Sequence, residues 1–332
     1  MEILTGIEQG QVDFSADEIV ALLHIENYSA AFYRLLHLAD RRSRRQFGSR
    51  GYVFAQIGVN AEKCSKNCAF CSMGANHYAI DDSWRKNSSE ILRELDGLLA
   101  QGIDDFFLMT TADYPVDEFL RIAEQARKKL PLTNRFVANI GDFDRATAQR
   151  LKAVGFTGAY HINRLREGVD TGIEPRQREE TIGHIQDVGL ELYYCIEPVG
   201  PEHDYEELAE EIIRASRLHI EVMAAMRRIP VPGTPLFAKG KISAAELTKI
   251  VAVTNLVARP SRAMNVHEPI QMALLAGVNQ LYAEAGANPR DVKSKTEEGR
   301  GFTPEKAWEM LEDGGYERGN PAAFIERPVP HA

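Results

Sequence analysis

The feature that most constrains the fold of this chain is a regular alternation of strand-like and helix-like segments. From Tyr52 onward, short runs rich in β-branched and aromatic residues, such as YVFAQIGV, are followed by amphipathic runs such as SSEILRELDGLLAQ. About eight such pairs fill roughly 230 residues. Strict alternation predicts parallel strands joined by helical crossovers, and eight units of this length predict an α/β fold, a (β/α)8 TIM-type barrel. A doubly wound open sheet is the alternative.

The alternating region is flanked by two segments of different character. Residues 1–50 have helical patterns, with a Ser N-cap and acidic first turn in SADEIVALLHI and a second run that ends at Gly48. Residues 51–285 hold the strand–helix alternation. Residues 286–332 are rich in Gly, Pro and charge, with one helical pattern in TPEKAWEMLEDGG. We therefore predict an N-terminal helical segment, one barrel and a short C-terminal extension.

Composition and charge argue against several classes of function. The 332 residues are 44% hydrophobic and 26% charged, as in many globular enzymes, and carry a formal net charge of −9. Lys and Arg do not cluster as in a nucleic-acid binder. No apolar run approaches the roughly 18 residues of a membrane span. The N-terminus lacks the basic start and apolar middle of a signal peptide. We expect a cytoplasmic monomer or homodimer with no membrane or nucleic-acid partner.

Three of the four cysteines lie within one short segment. Cys64, Cys68 and Cys71 are spaced C-x3-C-x2-C in AEKCSKNCAFCSMGANHY, directly after the first predicted strand. In a reducing compartment, clustered cysteines favour metal binding or redox chemistry over structural disulfides. Three thiolates are one short of a closed zinc site, although His77 could supply the fourth ligand. A [4Fe–4S] cluster with three cysteine ligands would leave one iron open to a small molecule.

The cysteine motif and its setting resemble those of the radical SAM enzymes. In that family C-x3-C-x2-C follows the first barrel strand and has an aromatic residue, here Phe70, before its third cysteine. By resemblance, the three cysteines would bind a [4Fe–4S] cluster, and S-adenosylmethionine would chelate the open iron. Reductive cleavage of the sulfonium would then release a 5′-deoxyadenosyl radical, while the protein supplies placement and excludes water. The resemblance also implies a reductant such as flavodoxin or ferredoxin.

Later motifs narrow the resemblance to biotin synthase-type radical SAM enzymes. RRIPVPGTPL and VARPSRAMNVHEPIQMALLAGVNQLY occur in the order typical of the part of the fold associated with biotin and thiamin synthesis. The resemblance implies further S-adenosylmethionine contacts near the ends of the second, fourth and fifth strands and in the segment after the fourth. These positions are Thr110, Thr111, Asn163, Arg178, Glu197 and Gly200. A guanidinium such as that of Arg178 suits the carboxylate of S-adenosylmethionine.

The chain departs from biotin synthase in the ligands of its second cluster. Biotin synthase holds a [2Fe–2S] cluster inside the barrel with three further cysteines and one arginine. Here Cys195 is the one cysteine outside the motif, and Arg262 is slightly out of register with the ligand arginine. One thiolate cannot hold that cluster. We therefore do not expect a standard biotin synthase.

Polar residues on the later strands indicate where a substrate would bind. Tyr193, Cys195 and Glu197 alternate on one face of the fifth strand, and we predict catalytic roles for Cys195, His267 and Glu268. The predicted function is hydrogen abstraction from a small polar substrate in cofactor or unusual-metabolite biosynthesis, through carbon-skeleton rearrangement or C–C bond chemistry. Two alternatives stay open. One is sulfur insertion as a non-standard lipoyl or biotin synthase, and the other is a metal-binding maturation scaffold without turnover.

Overall fold

The computed structural model describes residues 2–78, 83–284 and 302–319. Its strands, in chain order, are β1 (Arg50–Gly58), β2 (Asn60–Ala61), β3 (Trp84–Arg85), β4 (Asp105–Met109), β5 (Arg135–Asn139), β6 (Gly158–Tyr160), β7 (Glu191–Val199), β8 (Val222–Arg227), β9 (Ala263–His267), β10 (Gln280–Glu284) and β11 (Glu317–Arg318). Strands β4 to β10 pair in sequence order, and β1 pairs in parallel with both β4 and β10. The sheet is therefore a closed eight-stranded parallel barrel, as predicted, and not an open doubly wound sheet.

Among the described residues, three α-helices precede the barrel, six lie between successive barrel strands and one follows the last barrel strand. They are α1 (Glu2–Glu8), α2 (Ala16–Leu23), α3 (Ala30–Phe47), α4 (Ser88–Gln101), α5 (Val116–Lys129), α6 (Arg145–Val154), α7 (Pro175–Asp187), α8 (Tyr205–Ser216), α9 (Ala244–Ala258) and α10 (Pro304–Asp313). Capping boxes, in which an N-cap side chain and a glutamate satisfy each other's backbone amides, begin α2, α4 and α8. Between β9 and β10 the connection contains a short 3-10 helix, Gln271–Ala276, in place of an α-helix. No described helix has the length and apolar character that a bilayer crossing requires.

The N-terminal helices pack on the outside of the later half of the barrel. Helix α3 lies against α9 and the 3-10 helix that follows β9, while α2 lies against α8. Buried Asn255 of α9 joins these elements, because its Nδ2 donates to the carbonyl oxygens of Ala39 (3.2 Å) and Ala276 (3.0 Å) and contacts Ser43 Oγ (2.9 Å). Helix α9 is therefore covered on nearly all sides, which explains why its sequence is apolar around the whole helix.

A buried polar network closes the amino-terminal end of the barrel. Asp105, the first residue of β4, is fully buried. Its carboxylate accepts hydrogen bonds from both terminal guanidinium nitrogens of Arg262, each at 2.7 Å. The same carboxylate accepts hydrogen bonds from Gln280 Nε2 at 2.7 Å and from the Tyr193 hydroxyl at 3.2 Å. The Arg262 guanidinium lies 4.0 Å above the centroid of the Tyr52 ring. Because these residues come from β1, β4, β7, β10 and the start of β9, the network joins strands across the barrel axis.

The C-terminal helix covers this closed end from outside. Trp308 of α10 donates from Nε1 to the carbonyl oxygen of Gly102 at 2.7 Å, and β11 pairs with Arg50 and Gly51 at the start of β1. The helix predicted in TPEKAWEMLEDGG is thus confirmed and packs on the barrel. Within the predicted C-terminal extension, residues 302–319 are described, and residues 286–301 and 320–332 lie outside the described residues.

We predict that Asp105→Ala destabilises the protein by about 3–5 kcal/mol, because it leaves the Arg262 charge buried without its partner. Urea denaturation followed by circular dichroism measures the change. Asp96→Ala is the matched control, because its ion pair with Lys129 is exposed at both side chains and is expected to contribute about 0–1 kcal/mol. Equal losses in the two variants would contradict a structural role for the buried network.

Candidate active site

A cavity of about 180 Å³ opens at the carboxyl ends of the barrel strands, which is the end where barrels of this type carry their active sites. The segment after β1 that holds the three cysteines, residues 61–78, forms one wall and is called the cysteine loop below. The loops after β4, β5, β6, β7 and β8 form the rest. The predicted site residues that line the cavity are Cys64, Cys68, Phe70, Cys71, Thr110, Thr111, Arg178 and Glu197.

Backbone hydrogen bonds fold the cysteine loop back on itself. The Cys64 amide donates to the Met73 carbonyl at 2.8 Å, and the Ala75 amide donates to the Cys64 carbonyl at 3.0 Å. The Cys71 amide donates to the Cys68 carbonyl, also at 3.0 Å. These bonds bring the cysteine triad, Cys64, Cys68 and Cys71, to one side of the cavity.

His77, the sequence candidate for a fourth zinc ligand, fastens the cysteine loop through hydrogen bonds. Its Nε2 lies 2.9 Å from the Cys71 carbonyl oxygen and 3.2 Å from that of Cys68, so this nitrogen carries a proton and donates. A Cβ at Gly74 would lie 2.4 Å from the His77 ring, so only glycine allows this approach. The hydrogen bonds take the Nε2 of His77 away from a metal-ligating role.

The loop after β4 anchors the start of the cysteine loop. The Asn60 side chain donates to Thr111 Oγ1 at 2.9 Å and accepts the Thr111 amide at 3.0 Å, and both residues are buried. Ser65 Oγ donates to Asp113 Oδ1 at 2.7 Å. The TTAD segment at the end of the second barrel strand therefore supports the loop that carries the cysteines.

Two segments from later in the chain hold the middle of the cysteine loop. The Ala69 amide donates to the Asp170 carbonyl at 2.7 Å, and the Gly172 amide donates to the Lys66 carbonyl at 2.6 Å. The Leu236 amide, in the turn after β8, donates to the Ala69 carbonyl at 3.0 Å. Segments that follow three different barrel strands thus fix one loop, which favours a site formed before its cofactor binds.

The cysteine triad fits a [4Fe–4S] cluster better than a single zinc ion. Among the residues that the structure describes, the triad is not one of the groups whose donor atoms all lie within 4.8 Å of one another, whereas ligands of one tetrahedral ion would lie closer than that. Burial raises the pKa of the Cys68 thiol to about 12, with Arg164 acting in the opposite direction. Because thiolates are the ligands, metal binding must release these protons. Three thiolates also leave one iron of such a cluster for a small molecule.

Arg178 lines the cavity and is held by two acids. Its Nε lies 3.2 Å from Glu167 Oε2, and its Nη1 lies 3.1 Å from Asp142 Oδ1. Asp142 also accepts His161 Nε2 at 2.9 Å. Burial, assisted by Arg178 and Arg164, lowers the pKa of His161 to about 4 despite this bond. Burial alone would raise the pKa of Asp142, but the bond from His161 and the charge of Arg178 hold it at about 2.

The sequence analysis missed Arg164 and Tyr160, which both face the cavity. The Tyr160 hydroxyl donates to Glu197 Oε2 at 2.8 Å, and Arg164 Nε lies 3.5 Å from Glu197 Oε1 in a partly buried ion pair. No described hydrogen-bond partner is present for that Nε. Arg164 is also close enough to Cys68 to affect its pKa. This guanidinium therefore contacts Glu197 and also acts on the Cys68 thiol.

Asn163 does not reach the cavity, in contrast to its predicted contact with S-adenosylmethionine. Its Nδ2 donates to Glu211 Oε2 of α8 at 3.1 Å, and its backbone amide donates to the Tyr194 hydroxyl oxygen at 3.1 Å. Tyr194 faces outward from β7, so these contacts draw Asn163 behind the barrel wall. Arg164, the next residue, occupies the inward position instead.

Gly200 and Glu268 also lie away from the cavity lining. A Cβ at Gly200 would be 2.4 Å from the guanidinium of Arg228, so glycine here accommodates that side chain. Glu268 Oε2 accepts Arg227 Nε at 3.0 Å, and both side chains are partly exposed. The predicted His267–Glu268 pair is therefore separated, since His267 is buried inside the barrel.

The structure brings Cys195, Glu197 and His267 together directly beneath the cavity. The Cys195 Sγ, a Glu197 carboxylate oxygen and a His267 ring nitrogen all lie within 4.8 Å of one another; we call these residues the Cys–Glu–His group. An aromatic layer that includes Phe54, Phe107, Tyr193 and Tyr282 fills the barrel below it. Cys195 and Glu197 are predictable from alternation on one strand, but His267 comes from a strand distant in sequence.

We predict that protein stability falls by about 1 kcal/mol between about pH 7.5 and pH 5.5 because of His161. In the folded chain its pKa is about 4, below the usual 6.5, so the unfolded state binds a proton first as the pH falls. This contribution is present above pH 6.5 and is lost toward pH 4. Urea denaturation at both pH values should show a smaller loss for His161→Gln. Exposed His37→Gln should behave as the wild type; an unchanged slope in His161→Gln would contradict the assignment.

Comparison with known proteins supports the relationship indicated by the cysteine motif. No protein-family model matches the chain. It is 26% identical to the biotin synthase of Desulforudis audaxviator over 283 residues, which cover 80% of this chain and 85% of that protein. Among solved structures, the FeFe-hydrogenase maturase HydG from Carboxydothermus hydrogenoformans has a TM-score of 0.81 at 17% identity, covering 95% of this chain and 78% of that one. Methylornithine synthase (PylB) has a TM-score of 0.79 at 17% identity, covering 97% of this chain and 98% of that one.

The two structural likenesses show the fold, and the sequence likeness extends over most of the barrel. The three cysteines whose spacing resembles the radical SAM motif line the cavity at the carboxyl ends of the barrel strands. The chain is therefore a low-identity relative of the biotin synthase-like radical SAM enzymes.

Proposed function

We propose that this chain binds a [4Fe–4S] cluster at Cys64, Cys68 and Cys71 and abstracts hydrogen from a small polar substrate in cofactor or unusual-metabolite biosynthesis. The observation that carries the proposal is that the cysteine triad and the polar side chains of the barrel face one cavity. The buried network at Asp105 closes the opposite end of the barrel. A cavity of this kind excludes bulk water from a reactive radical.

Cys64, Cys68 and Cys71 would hold the cluster, which when bound would supply the difficult chemistry, the one-electron reductive cleavage of S-adenosylmethionine. The residues of the chain would bind and orient S-adenosylmethionine and the substrate, and would shield them from water. Phe70, Thr110 and Thr111 line the cavity beside the cysteine triad and are proposed to contact S-adenosylmethionine. Asn163 and Gly200 are left out of this set because neither lines the cavity.

Two arginines are candidates for the carboxylate of S-adenosylmethionine. Arg178 lines the cavity, but Glu167 and Asp142 already neutralise it. Within the described part of the chain Arg164 has one ion pair, with Glu197 at 3.5 Å, and it lines the cavity together with the cysteine triad. A guanidinium with donors to spare binds a carboxylate more readily than one that is fully engaged. We therefore propose Arg164 as the principal carboxylate anchor and Arg178 as its support.

The substrate is proposed to occupy the part of the cavity nearest Tyr160, Glu197 and Asn139. These side chains offer a hydroxyl, a carboxylate and an amide, which suit a small molecule with amino or hydroxyl groups. The aromatic layer below limits its depth. Carbon-skeleton rearrangement or C–C bond chemistry is proposed because such reactions need no second cofactor that donates sulfur. An external reductant such as flavodoxin or ferredoxin would deliver the electron.

Sulfur insertion is the second candidate, because the sequence relatives are named biotin synthases. The chain has four cysteines in all, so Cys195 alone is left to ligate a second cluster. Arg262, the nearest match to the ligand arginine of biotin synthase, is engaged by Asp105 at the closed end of the barrel. Sulfur insertion would therefore need another source, such as the first cluster, Cys195 or a partner protein.

We predict that the reconstituted protein forms 5′-deoxyadenosine when given dithionite and S-adenosylmethionine under anaerobic conditions. The triple variant Cys64→Ala, Cys68→Ala, Cys71→Ala should form none, because it lacks the ligands of the cluster. Mass spectrometry measures the product. Asn76→Ala, an exposed change in the same loop, should retain activity. A wild type that binds iron but never cleaves S-adenosylmethionine would favour the maturation scaffold over the enzyme, and stimulation by candidate metabolites would identify the substrate.

We predict that Arg164→Gln weakens the binding of S-adenosylmethionine by about tenfold or more, since a hydrogen bond to a charged group contributes about 1.5–3 kcal/mol. Equilibrium dialysis with cluster-loaded protein measures the Kd. Arg166→Gln is the matched control, because Arg166 bonds to Glu207 at 2.7 Å and does not line the cavity. An unchanged Kd for Arg164→Gln would leave Arg178 as the anchor.

A further inference from the structure

The Cys–Glu–His group is buried to a degree that requires an explanation. The exposed fractions of Cys195, Glu197 and His267 are 0%, 7% and 5%. A carboxylate taken out of water is costly unless it is paired or ligates a metal, and Glu197 shares one ion pair with Arg164 at 3.5 Å. A thiol, a carboxylate and an imidazole have converged on one point inside the barrel. All three are common ligands of transition metals.

The surroundings of the group hold two of its members in place. The Tyr160 hydroxyl donates to Glu197 Oε2 at 2.8 Å. The His267 ring packs between aromatic rings, with centroid distances of 5.3 Å to Tyr282, 5.5 Å to Phe54 and 6.1 Å to Tyr160. Contacts of this kind orient metal ligands before the ion arrives and are part of what determines affinity.

We propose that Cys195, Glu197 and His267 bind one Zn²⁺ ion inside the barrel. Thiolate, imidazole and carboxylate together suit zinc, whereas Mg²⁺ and Ca²⁺ prefer oxygen ligands alone. The two negative charges of thiolate and carboxylate cancel the charge of the ion, so the complex is neutral where it is buried. Donor atoms within 4.8 Å reach the spacing of a tetrahedral site with small side-chain movements.

Three protein ligands leave the fourth zinc position open, as in catalytic rather than structural sites. Glu197 lines the cavity, while the aromatic layer closes the group from below. The open position therefore faces the cavity. There the ion binds an electron-pair donor of a small molecule, such as a thiolate, amine or carboxylate. The site stands on its own geometry and does not depend on cleavage of S-adenosylmethionine.

A second convergence of possible ligands serves as a comparison. Asp170, Glu202 and His203 also have donor atoms within 4.8 Å of one another. There Glu202 is already paired with Arg228 through both of its oxygens, and Asp170 and Glu202 are partly exposed. Both Glu202 oxygens are thus held by one guanidinium, whereas the contact of Glu197 with Arg164 is a longer one at 3.5 Å. We therefore assign the zinc to the Cys–Glu–His group, and His203→Gln is the matched control.

The first test is the metal content of the full-length holoprotein. Protein carrying its iron–sulfur cluster is incubated with ZnCl₂, desalted and analysed by plasma mass spectrometry. One zinc per chain is expected in the wild type and in His203→Gln. Cys195→Ser and His267→Gln should lose at least nine-tenths of the zinc while their iron content stays unchanged, which also shows that they fold.

The second test uses Co²⁺ as a spectroscopic substitute for zinc in the Cys64→Ala, Cys68→Ala, Cys71→Ala variant. Cys195 is then the single thiol of the chain, so a thiolate-to-cobalt charge-transfer band reports its ligation. We expect a band that saturates at one equivalent and disappears on addition of Zn²⁺. Adding Glu197→Gln should weaken Co²⁺ binding at least tenfold, and adding His203→Gln should not.

Three results would overturn the zinc site. They are a wild type that retains no stoichiometric zinc, a cobalt band that His267→Gln leaves unchanged, and metal loss in His203→Gln instead of the Cys–Glu–His variants. None of these depends on 5′-deoxyadenosine formation. Failure of the zinc site is therefore distinguishable from failure of the proposed radical chemistry.

Discussion

The ion pair between Asp105 and Arg262 is the interaction on which the architecture of the site depends. It is buried at one end of the barrel and draws in Gln280 and Tyr193 from other strands. Two charges in so little water are costly unless every donor and acceptor is matched, and here the carboxylate accepts four hydrogen bonds. These hydrogen bonds fix the side chains at this end of the barrel, which we call the floor. Everything reactive is consequently assembled at the other end.

Above that floor the barrel is arranged in layers of different chemistry. Aromatic side chains follow the charged floor, then the Cys–Glu–His group, and finally the cavity beside the cysteine triad. Arg164 and Tyr160 join the last two layers through Glu197. A ligand in the cavity therefore contacts groups that are held by the barrel wall on one side and by the cysteine loop on the other. Both sides are fixed by hydrogen bonds before any ligand arrives.

Most of the fold could be predicted from local patterns, but part of the site could not. The eight strands and the helices between them follow from hydrophobic period and capping residues, and the cysteine spacing indicated the loop. The side-chain direction of Asn163 could not be predicted because β6 is three residues long. The in–out alternation of the strand therefore ends before Asn163. The direction of the next side chains is then set by Tyr194 and Glu211, which lie far away in sequence. The proximity of His267 to Cys195 could not be predicted either, because it depends on how β7 and β9 pack in the barrel and not on a local sequence pattern.

The hydrogen bonds that hold the cysteine loop have a consequence for how the protein folds during its synthesis. The loop is near the start of the barrel, yet its hydrogen-bond partners include Asp113, Asp170, Gly172 and Leu236. While the chain is being synthesised, the cysteines leave the ribosome long before those partners exist. The cysteine loop cannot form all of these hydrogen bonds until the turn after β8, which contains Leu236, has emerged. The cysteine loop therefore acquires its full set of hydrogen bonds only late in synthesis or after release from the ribosome.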